Sequence, residues 1–305
     1  MNKRISKAPE QLRIWQQNTH KSQTAQDYVI NTARPEDWDI IAIQEPWIDS
    51  LGKSRASQYW RVVYPANYYK EEKTRVRSVL LINTNISTDC YCTLPILHSD
   101  ITGVRFKGPN GNFSVINVYN EITNNDTINF LDLFLTANPL LVRPMASDHM
   151  IWLGDFNRHH PMWEDDANSH LFEAENFISP LLNLLYSHDM IMALPKGLPT
   201  FQTCAGRWTR PDNVWHTNAQ ADPIQRCEVL PNIRPPLADH MPIITVVYLP
   251  LPRVAAPPIL DFRLADWPSV NTALDARLSV ESPAVRIQTK EEFIAKVDTV
   301  VKIIK

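Results

Sequence analysis

The stretch Met150–Asn157, which reads Met-Ile-Trp-Leu-Gly-Asp-Phe-Asn, constrains the fold of this chain more than any other. Its four-residue apolar run is typical of a buried strand, and Gly154 permits a sharp exit from that strand. Residues i and i+2 of an extended chain point the same way, so Asp155 and Asn157 are expected side by side, with Phe156 in the core. Together a carboxylate and an amide can hold a water and a phosphoryl oxygen. The alternative is a polar strand end followed by a turn.

Strands outnumber helices in the rest of the pattern. Apolar or alternating runs predict strands at 12–17, 39–44, 76–83, 101–107, 112–119, 150–153 and 241–249. The Gly-Pro-Asn-Gly segment at 108–111 predicts a hairpin between two of them. Helical spacing predicts helices at 22–33, 127–137, 170–186 and from about residue 290. Too few helices alternate with strands for a doubly wound parallel sheet, so two packed sheets flanked by helices are expected.

Composition argues against a membrane-spanning chain and leaves nucleic-acid binding open. No apolar stretch reaches the ~20 residues that span a bilayer, and residues 1–10 contain no apolar signal-peptide core, so a protein of the nucleus or cytoplasm is expected. The net charge of −3 does not indicate a general nucleic-acid binder, but a metal-dependent nuclease needs acids in its site and can carry a local basic rim. Free thiols are expected for the cysteines, with a zinc pair at Cys90 and Cys92 on one strand face as the alternative.

Prolines after residue 249 divide the chain into a main domain and a tail. The segment Leu-Pro-Leu-Pro-Arg-Val-Ala-Ala-Pro-Pro is typical of a linker. It predicts a domain at 11–249 and a linker with a helical tail at 250–305. The last helix has an apolar stripe, with acids at its start and lysines at its end, as the helix dipole favours. The stripe is expected to pack on its own protein or to dock a following domain.

Polar residues follow apolar strands at five places along the chain. An isolated Asn or Asp at a strand end is usually only a turn former. The five are Gln17-Asn18, Gln44-Glu45, Asn117 to Asn120, Asp155 to Asn157 and Asp239-His240, and a sixth signature runs from Trp208 to Asn213. In this order they resemble the endonuclease/exonuclease/phosphatase superfamily over residues 11–249. The DNase I-like nucleases and the apurinic endonucleases belong to that superfamily.

Two segments are similar to a narrower group. Gly154–Trp163, which reads Gly-Asp-Phe-Asn-Arg-His-His-Pro-Met-Trp, looks like the endonuclease domain that precedes reverse transcriptase in non-LTR (LINE-like) retrotransposons. Trp208–Trp215, which reads Trp-Thr-Arg-Pro-Asp-Asn-Val-Trp, is similar to fungal members. The resemblance implies an endonuclease that nicks DNA in target-primed retrotransposition. It also implies a reverse transcriptase domain, or another protein, as a partner of the C-terminal helix.

The superfamily resemblance implies an α/β fold, a four-layer α/β/β/α sandwich of two packed mixed sheets, with the site in a cleft at one edge of the sheets. It also implies one or two divalent cations, Mg²⁺ or Mn²⁺. Glu45 is the expected main ligand, with Asn18 and Asp239 nearby. Such hard oxygen ligands suit Mg²⁺, which keeps several of its waters.

The same resemblance assigns catalytic roles. Asp155 would orient or deprotonate the attacking water, and Asn157 would hold that water or a phosphate oxygen. His240, positioned by Asp212, would stabilise the phosphorane-like state, and Tyr119 would touch the phosphate or assist the leaving oxygen. In-line attack of this kind requires no covalent intermediate. Four further residues are expected to bind substrate: Asn120, Arg158, His160 and Thr200.

Basic and histidine side chains near these segments leave two interpretations open. Lys21, Arg158, Arg207 and Arg210 can line a DNA path or be ordinary solvated side chains. The pair His159-His160 can reach a DNA phosphate, with Trp163 stacked on a base. The other interpretation is a loop packed on the core through Met162 and Trp163, and the resemblance favours this supporting role.

The sequence departs from the superfamily pattern at two positions. His20 stands where apurinic-type enzymes carry an acid, and Ala238 replaces a serine often found before the Asp-His pair, which removes one hydrogen bond near His240. No polymerase lies within the 305 residues, which suggests a fragment, a truncated element or a domesticated gene. Two alternatives to a nuclease remain: a phosphatase of lipids or small phosphates in the same superfamily, and an inactive remnant that binds nucleic acid or protein.

Overall fold

A computed structural model of the protein describes residues 10–68, 75–145, 147–219, 222–253, 266–281 and 286–304. The chain forms two compact units, residues 1–255 and residues 256–305. The first unit holds both large sheets and every residue predicted for the active site. The predicted domain boundary at 249/250 stays a prediction, and most of the predicted linker lies in 254–265, outside the described residues.

Within the described residues of the main unit, the strands form two six-stranded sheets and a two-stranded hairpin. In chain order the strands are β1 (Gln11–Asn18), β2 (Ile40–Gln44), β3 (Trp60–Val63), β4 (Ser78–Asn83), β5 (Tyr91–Thr93), β6 (Ile101–Gly108), β7 (Gly111–Tyr119), β8 (His149–Asp155), β9 (Met190–Met192), β10 (Phe201–Gln202), β11 (Trp208–Thr209), β12 (Asp212–Thr217), β13 (Ile224–Val229) and β14 (Ile243–Tyr248). The helices are α1 (Gln23–Thr32), α2 (Asp126–Ala137), α3 (Pro139–Val142), α4 (Glu175–Ser187), α5 (Trp267–Glu281) and α6 (Lys290–Ile304).

Each large sheet has one parallel pair near its centre. The first sheet has the order β13-β14-β1-β2-β4-β3, in which β1 and β2 are parallel. The second has the order β5-β6-β7-β8-β12-β9, in which β7 and β8 are parallel. The remaining pairs are antiparallel, including the predicted hairpin of β6 and β7, which turns at Pro109 and Asn110. Parallel neighbours end at the same edge of a sheet, and this places their following residues together.

Alternation along the strands sorts apolar side chains into three layers. The layer between the sheets includes Ile40 and Ala42 of β2 and Ile151 and Leu153 of β8. The alternate residues of β2 and β8 point away from the layer between the sheets. On one side Ile41 and Ile43 pack with Trp15, Val29 and Ile30 at α1, and on the other Met150 and Trp152 pack with α2 and α4. The four-layer α/β/β/α sandwich follows from this alternation.

The helix predicted at 170–186 begins later than predicted. Asp166–Leu171 is a 3-10 helix, and α4 begins only at Glu175 after a short extended segment. Within that segment Glu173 donates its backbone N–H to the carbonyl of His159, and its carboxylate lies 3.5 Å from the Arg158 guanidinium. These tertiary contacts keep the segment out of the helix.

The predicted shared strand for two cysteines is wrong. Cys90 ends a 3-10 helix, Thr88–Cys90, and only Cys92 lies in β5. The Ser87 hydroxyl caps that helix by accepting the N–H of Asp89. Cys90 therefore lies in the helix, and the strand begins only at Tyr91. All four cysteines are free thiols, as predicted.

The second unit contains α5 and α6, and α5 was not predicted from the sequence. Ile303 is buried, and Arg277 Nη1 donates to its carbonyl at 3.4 Å. Part of the predicted stripe on α6 is exposed, including Phe293, Val297 and Val301. The docking of α6 to a reverse transcriptase domain stays a prediction. Among the described helices of the whole chain, none is long and apolar enough to cross a membrane.

Candidate active site

Strand ends from both sheets meet at one edge of the sandwich. Asn18, the last residue of β1, pairs with Gln44, the last of β2, so Glu45 follows directly at that edge. In the second sheet Asp155, the last residue of β8, pairs with Tyr119 on one side and with Asp212, the first residue of β12, on the other. The strand registers therefore bring together side chains that are far apart in the chain.

Asp155, Asp212 and His240 form a buried polar group. His240 Nδ1 lies 2.8 Å from Asp212 Oδ2, and His240 Nε2 lies 3.9 Å from Asp155 Oδ2. Thr200 Oγ1 donates to the same Asp212 oxygen at 2.7 Å, and the Phe201 ring lies 4.7 Å from the imidazole. All three members are at most 5% exposed. These contacts hold the imidazole with one nitrogen on Asp212 and the other directed towards Asp155.

Further hydrogen bonds fix Asp155 and Asn157. Asn18 Nδ2 donates to Asp155 Oδ2 at 2.9 Å, and the backbone N–H of Asn157 donates to Asp155 Oδ1 at 3.0 Å. Asn157 Nδ2 donates to the Asn120 carbonyl at 2.8 Å. The φ angle of Asn157 is 48°, in the left-handed region that Asn tolerates better than most residues. The chain therefore turns after Asp155. The prediction from the i and i+2 spacing had assumed that the chain continues extended to Asn157.

The environment raises the pKa of both catalytic candidates. Burial alone would lower the pKa of His240, but the carboxylates of Asp212 and Asp155 outweigh it and raise the pKa to about 9. Burial and then the charge of Asp212 raise the pKa of Asp155 to about 7. Burial and the nearby Glu45 raise the pKa of the Tyr119 phenol. At neutral pH the imidazole is therefore protonated, and Asp155 is suited to accept a proton.

The pKa of His240 predicts a pH-dependent stability in metal-free buffer. A pKa raised from 6.5 to about 9 gives stabilisation that is complete below pH 6.5 and is lost as the pH rises through 9. The stability advantage of the wild type over His240→Gln is expected to shrink by about 2 kcal/mol between pH 6 and pH 10. The expected loss is smaller than the pKa shift of His240 alone would give. The imidazolium also lowers the pKa of Asp155, and this partly offsets the pH dependence of stability. Urea titrations with EDTA at both pH values measure it, and parallel pH profiles for the two proteins would contradict it.

Two neighbouring sets of ligand atoms can hold a divalent cation. Asp155, Asp212 and His240 each place one ligand atom within 4.8 Å of the others. Two of these residues, Asp212 and His240, are already bonded to each other at 2.8 Å. On the more open side, Glu45 and Asp239 offer carboxylates, and Asp239 Oδ1 is buried with no hydrogen-bond partner among the described residues. An unpartnered carboxylate oxygen fits a hard cation such as Mg²⁺ or Mn²⁺, so the Glu45 side fits the implied metal better.

One cavity of about 440 Å³ joins these groups. It is lined by every residue predicted as a metal ligand or catalytic group except Asp212, which lies behind His240: Asn18, Glu45, Tyr119, Asp155, Asn157, Asp239 and His240. The geometric expectation that these side chains share one pocket is met. Their individual roles stay predictions.

Comparisons with known proteins agree with this geometry. A sequence model of the family described as endonuclease-reverse transcriptase matches residues 113–244. The solved endonuclease domain of TRAS1, a telomere-specific non-LTR retrotransposon, is 16% identical with a TM-score of 0.61, covering 78% of this chain and 99% of that one. AP endonuclease LMAP from Leishmania major is 11% identical with a TM-score of 0.62, covering 79% and 89%. The APE2 catalytic domain from Xenopus laevis is 14% identical with a TM-score of 0.56, covering 81% and 94%. Among curated proteins, no sequence matched.

Residues 113–244 are similar to the family described as endonuclease-reverse transcriptase, and the solved structures show that the chain has their fold. The predicted α/β fold of two packed mixed sheets is confirmed by these neighbours and by the strand order. The matched segment includes most of β7, all of β8 and β12, and His240. It therefore contains Tyr119, Asp155 and Asp212. Asn18 and Glu45, which line the cavity on the other side, precede the matched segment in the sequence.

Arg158 does not line the cavity, contrary to the substrate-binding role that the resemblance implied. Its side chain is fully buried and its guanidinium lies 4.2 Å above the Phe177 ring. Arg158 Nη2 donates to Asn125 Oδ1 at 2.7 Å, and Nη1 donates to backbone carbonyls of the same loop. Arg158 therefore holds the loop after β7 against the loop after β8. Arg210 is likewise buried, with Nη2 bonded to the Leu194 carbonyl, and cannot line a DNA path.

Asn120 and Thr200 do not line the cavity, and both are fully buried, so their expected contact with substrate stays a prediction. Asn120 Nδ2 donates to the Phe156 carbonyl at 3.0 Å, and Thr200 holds Asp212. Both therefore support catalytic side chains from behind. His160 is partly exposed, packs 5.2 Å from the Trp163 ring and does not line the cavity. Trp163 is buried, which agrees with the interpretation of a supporting loop.

Arg77 was not among the residues predicted for the site. Its carbonyl accepts the backbone N–H of Glu45 at 2.8 Å, and its guanidinium lies 4.7 Å from the Tyr119 ring centroid. The same guanidinium forms ion pairs with Asp100 and Glu121. Arg77 therefore positions one predicted metal ligand and the tyrosine of the cavity. An arginine at the start of an otherwise apolar predicted strand was the available signal.

Proposed function

We propose that this protein is a divalent-metal-dependent phosphodiesterase that nicks one strand of DNA, as target-primed retrotransposition requires. The observation that carries the proposal is the shared cavity, in which the buried Asp155–His240–Asp212 group faces the carboxylates of Glu45 and Asp239. The similarity to the endonuclease domain of TRAS1 and to the family described as endonuclease-reverse transcriptase favours DNA as substrate.

Each side chain has a separate role in in-line hydrolysis. Asp155 accepts the proton of the attacking water, and Asn157 orients that water or a phosphoryl oxygen. Protonated His240 donates from Nε2 to the phosphoryl oxygen, because Asp212 holds Nδ1 and raises the pKa. A cation held by Glu45, Asp239 and Asn18 would offset charge on the phosphoryl and leaving oxygens. The phosphorus–oxygen bond to the leaving group breaks as the water oxygen adds.

Conversion of supercoiled plasmid to open circles is the test. The purified protein is expected to nick plasmid in Mg²⁺ or Mn²⁺ and to stop when EDTA removes the ion, because the acids of the cavity then lack the charge that offsets the phosphate. Agarose gels separate the two DNA forms. Release of phosphate from an inositol lipid or phosphomonoester, with intact plasmid, would contradict DNA nicking and favour a phosphatase.

A further inference from the structure

A lysine and a histidine side chain lie on the two carboxylates that fit a hard cation. Lys21 Nζ lies 2.8 Å from Glu45 Oε1, and His20 Nδ1 lies 3.4 Å from Asp239 Oδ2. Both side chains come from the turn that follows β1 and both line the active-site cavity. A residue that contributes a fixed positive charge therefore stands where the proposed metal would bind.

The backbone directs Lys21 to this position. Its N–H donates at 2.8 Å to the carbonyl of Glu45, the same residue whose carboxylate its ammonium contacts, and Thr19 Oγ1 donates to that carbonyl at 2.9 Å. The φ angles of His20, Lys21 and Glu45 are 48°, 57° and 47°. Non-glycine residues adopt this left-handed region rarely, and only where the surroundings hold them there. The backbone that carries Lys21 is therefore held in place by its surroundings.

The Lys21–Glu45 pair differs from an ordinary surface ion pair of the same protein. Lys196 lies 2.7 Å from Asp166, but that carboxylate side chain is 82% exposed, whereas the Glu45 side chain is 10% exposed. Exposed pairs contribute little because water screens both partners. The Glu45 carboxylate is largely shielded from water, so the charge of its partner has a larger effect on what else can bind there.

We propose that Lys21 is the resident counter-ion of the metal site. Its ammonium neutralises Glu45 in the metal-free protein, and a divalent cation must displace it to reach the carboxylate. The flexible four-carbon stem of lysine lets the head group move into solvent when that happens. Lys21 thus keeps the affinity for divalent cations lower than the oxygen ligands alone would give. The inference rests on the proposed function, because it takes Glu45 as a ligand.

Isothermal titration of the full chain with MnCl₂, without nucleic acid, tests the proposal. The Lys21→Met variant is expected to bind Mn²⁺ about tenfold more tightly than the wild type. In this variant the ion no longer has to break the Lys21–Glu45 ion pair, whose carboxylate is largely shielded from water. Lys21→Arg, which keeps the charge, and Lys196→Met, which removes a lysine from the exposed pair with Asp166, are expected to bind Mn²⁺ like the wild type.

Unchanged or weaker Mn²⁺ binding by Lys21→Met would overturn the proposal, as would a Glu45→Gln variant that binds Mn²⁺ as the wild type does. If Lys21→Met does not fold, as judged by circular dichroism, Lys21→Gln serves as the same test. The two proposals fail separately. Tighter Mn²⁺ binding by Lys21→Met with no plasmid nicking by any protein would refute the nuclease alone, and normal nicking with unchanged Mn²⁺ affinity would refute the counter-ion alone.

Discussion

Plasmid nicking is expected to fall at least about 1000-fold in both Asp155→Ala and His240→Ala. Asp155→Ala removes the group that accepts the proton of the attacking water. His240→Ala removes the buried cation that stabilises negative charge on the phosphoryl oxygen, and leaves Asp212 without its imidazole partner. Initial rates on supercoiled plasmid in saturating Mg²⁺ measure both losses.

A matched control separates catalysis from general damage. Asp89 is an exposed carboxylate outside the cavity, so Asp89→Ala is expected to nick at the wild-type rate. Thermal unfolding of the two site variants reports whether they remain folded, since Asp155→Ala loses the hydrogen bonds from Asn18 and from the backbone of Asn157. A folded variant that nicks within tenfold of the wild type would refute the role given to that residue.

The clustering of the site was expected through the superfamily resemblance, and the strand ends explain it. Residues after parallel strands must share an edge, and Asn18 with Glu45, and Tyr119 with Asp155, do so through the registers of β1 with β2 and β7 with β8. The layers followed from alternation in the same strands. The polar groups at the ends of apolar runs were visible in the sequence alone, but the strand pairings that bring them together were not.

The buried arginines could not be predicted in this way. Arg158 and Arg210 resemble solvated side chains in sequence, and only the carbonyls of distant loops, such as Leu194 for Arg210, show why they are buried. The extended segment at Glu173 depends on the same kind of contact. The left-handed backbone of Lys21 likewise follows from the β1–β2 register, which brings the Glu45 carbonyl to its N–H. Local propensity contains none of this information.

Gly154→Ala is expected to lower the free energy of unfolding by about 4 kcal/mol or more. Gly154 has a φ of 148°, and a Cβ built there would lie 1.9 Å from the carbonyl oxygen of Val118. Val118 is its partner in the parallel β7–β8 pair, so the clash is with backbone and no side-chain rotation relieves it. The strands must separate at the point that places Asp155 beside Tyr119, so nicking is expected to be lost as well.

Gly206→Ala is the matched control for this substitution. Gly206 also has a positive φ, 79°, but a Cβ there would meet nothing within 4 Å. Its replacement is therefore expected to cost only the strain of the left-handed backbone, about 1 kcal/mol. Urea unfolding of both variants separates two costs in the free energy of unfolding. One is the clash where β7 and β8 approach closely, and the other is the strain of a positive φ angle at a residue other than glycine. Equal losses in the two variants would show that the approach at Gly154 is relieved by a small backbone shift, and that the edge on which the site depends tolerates such a shift.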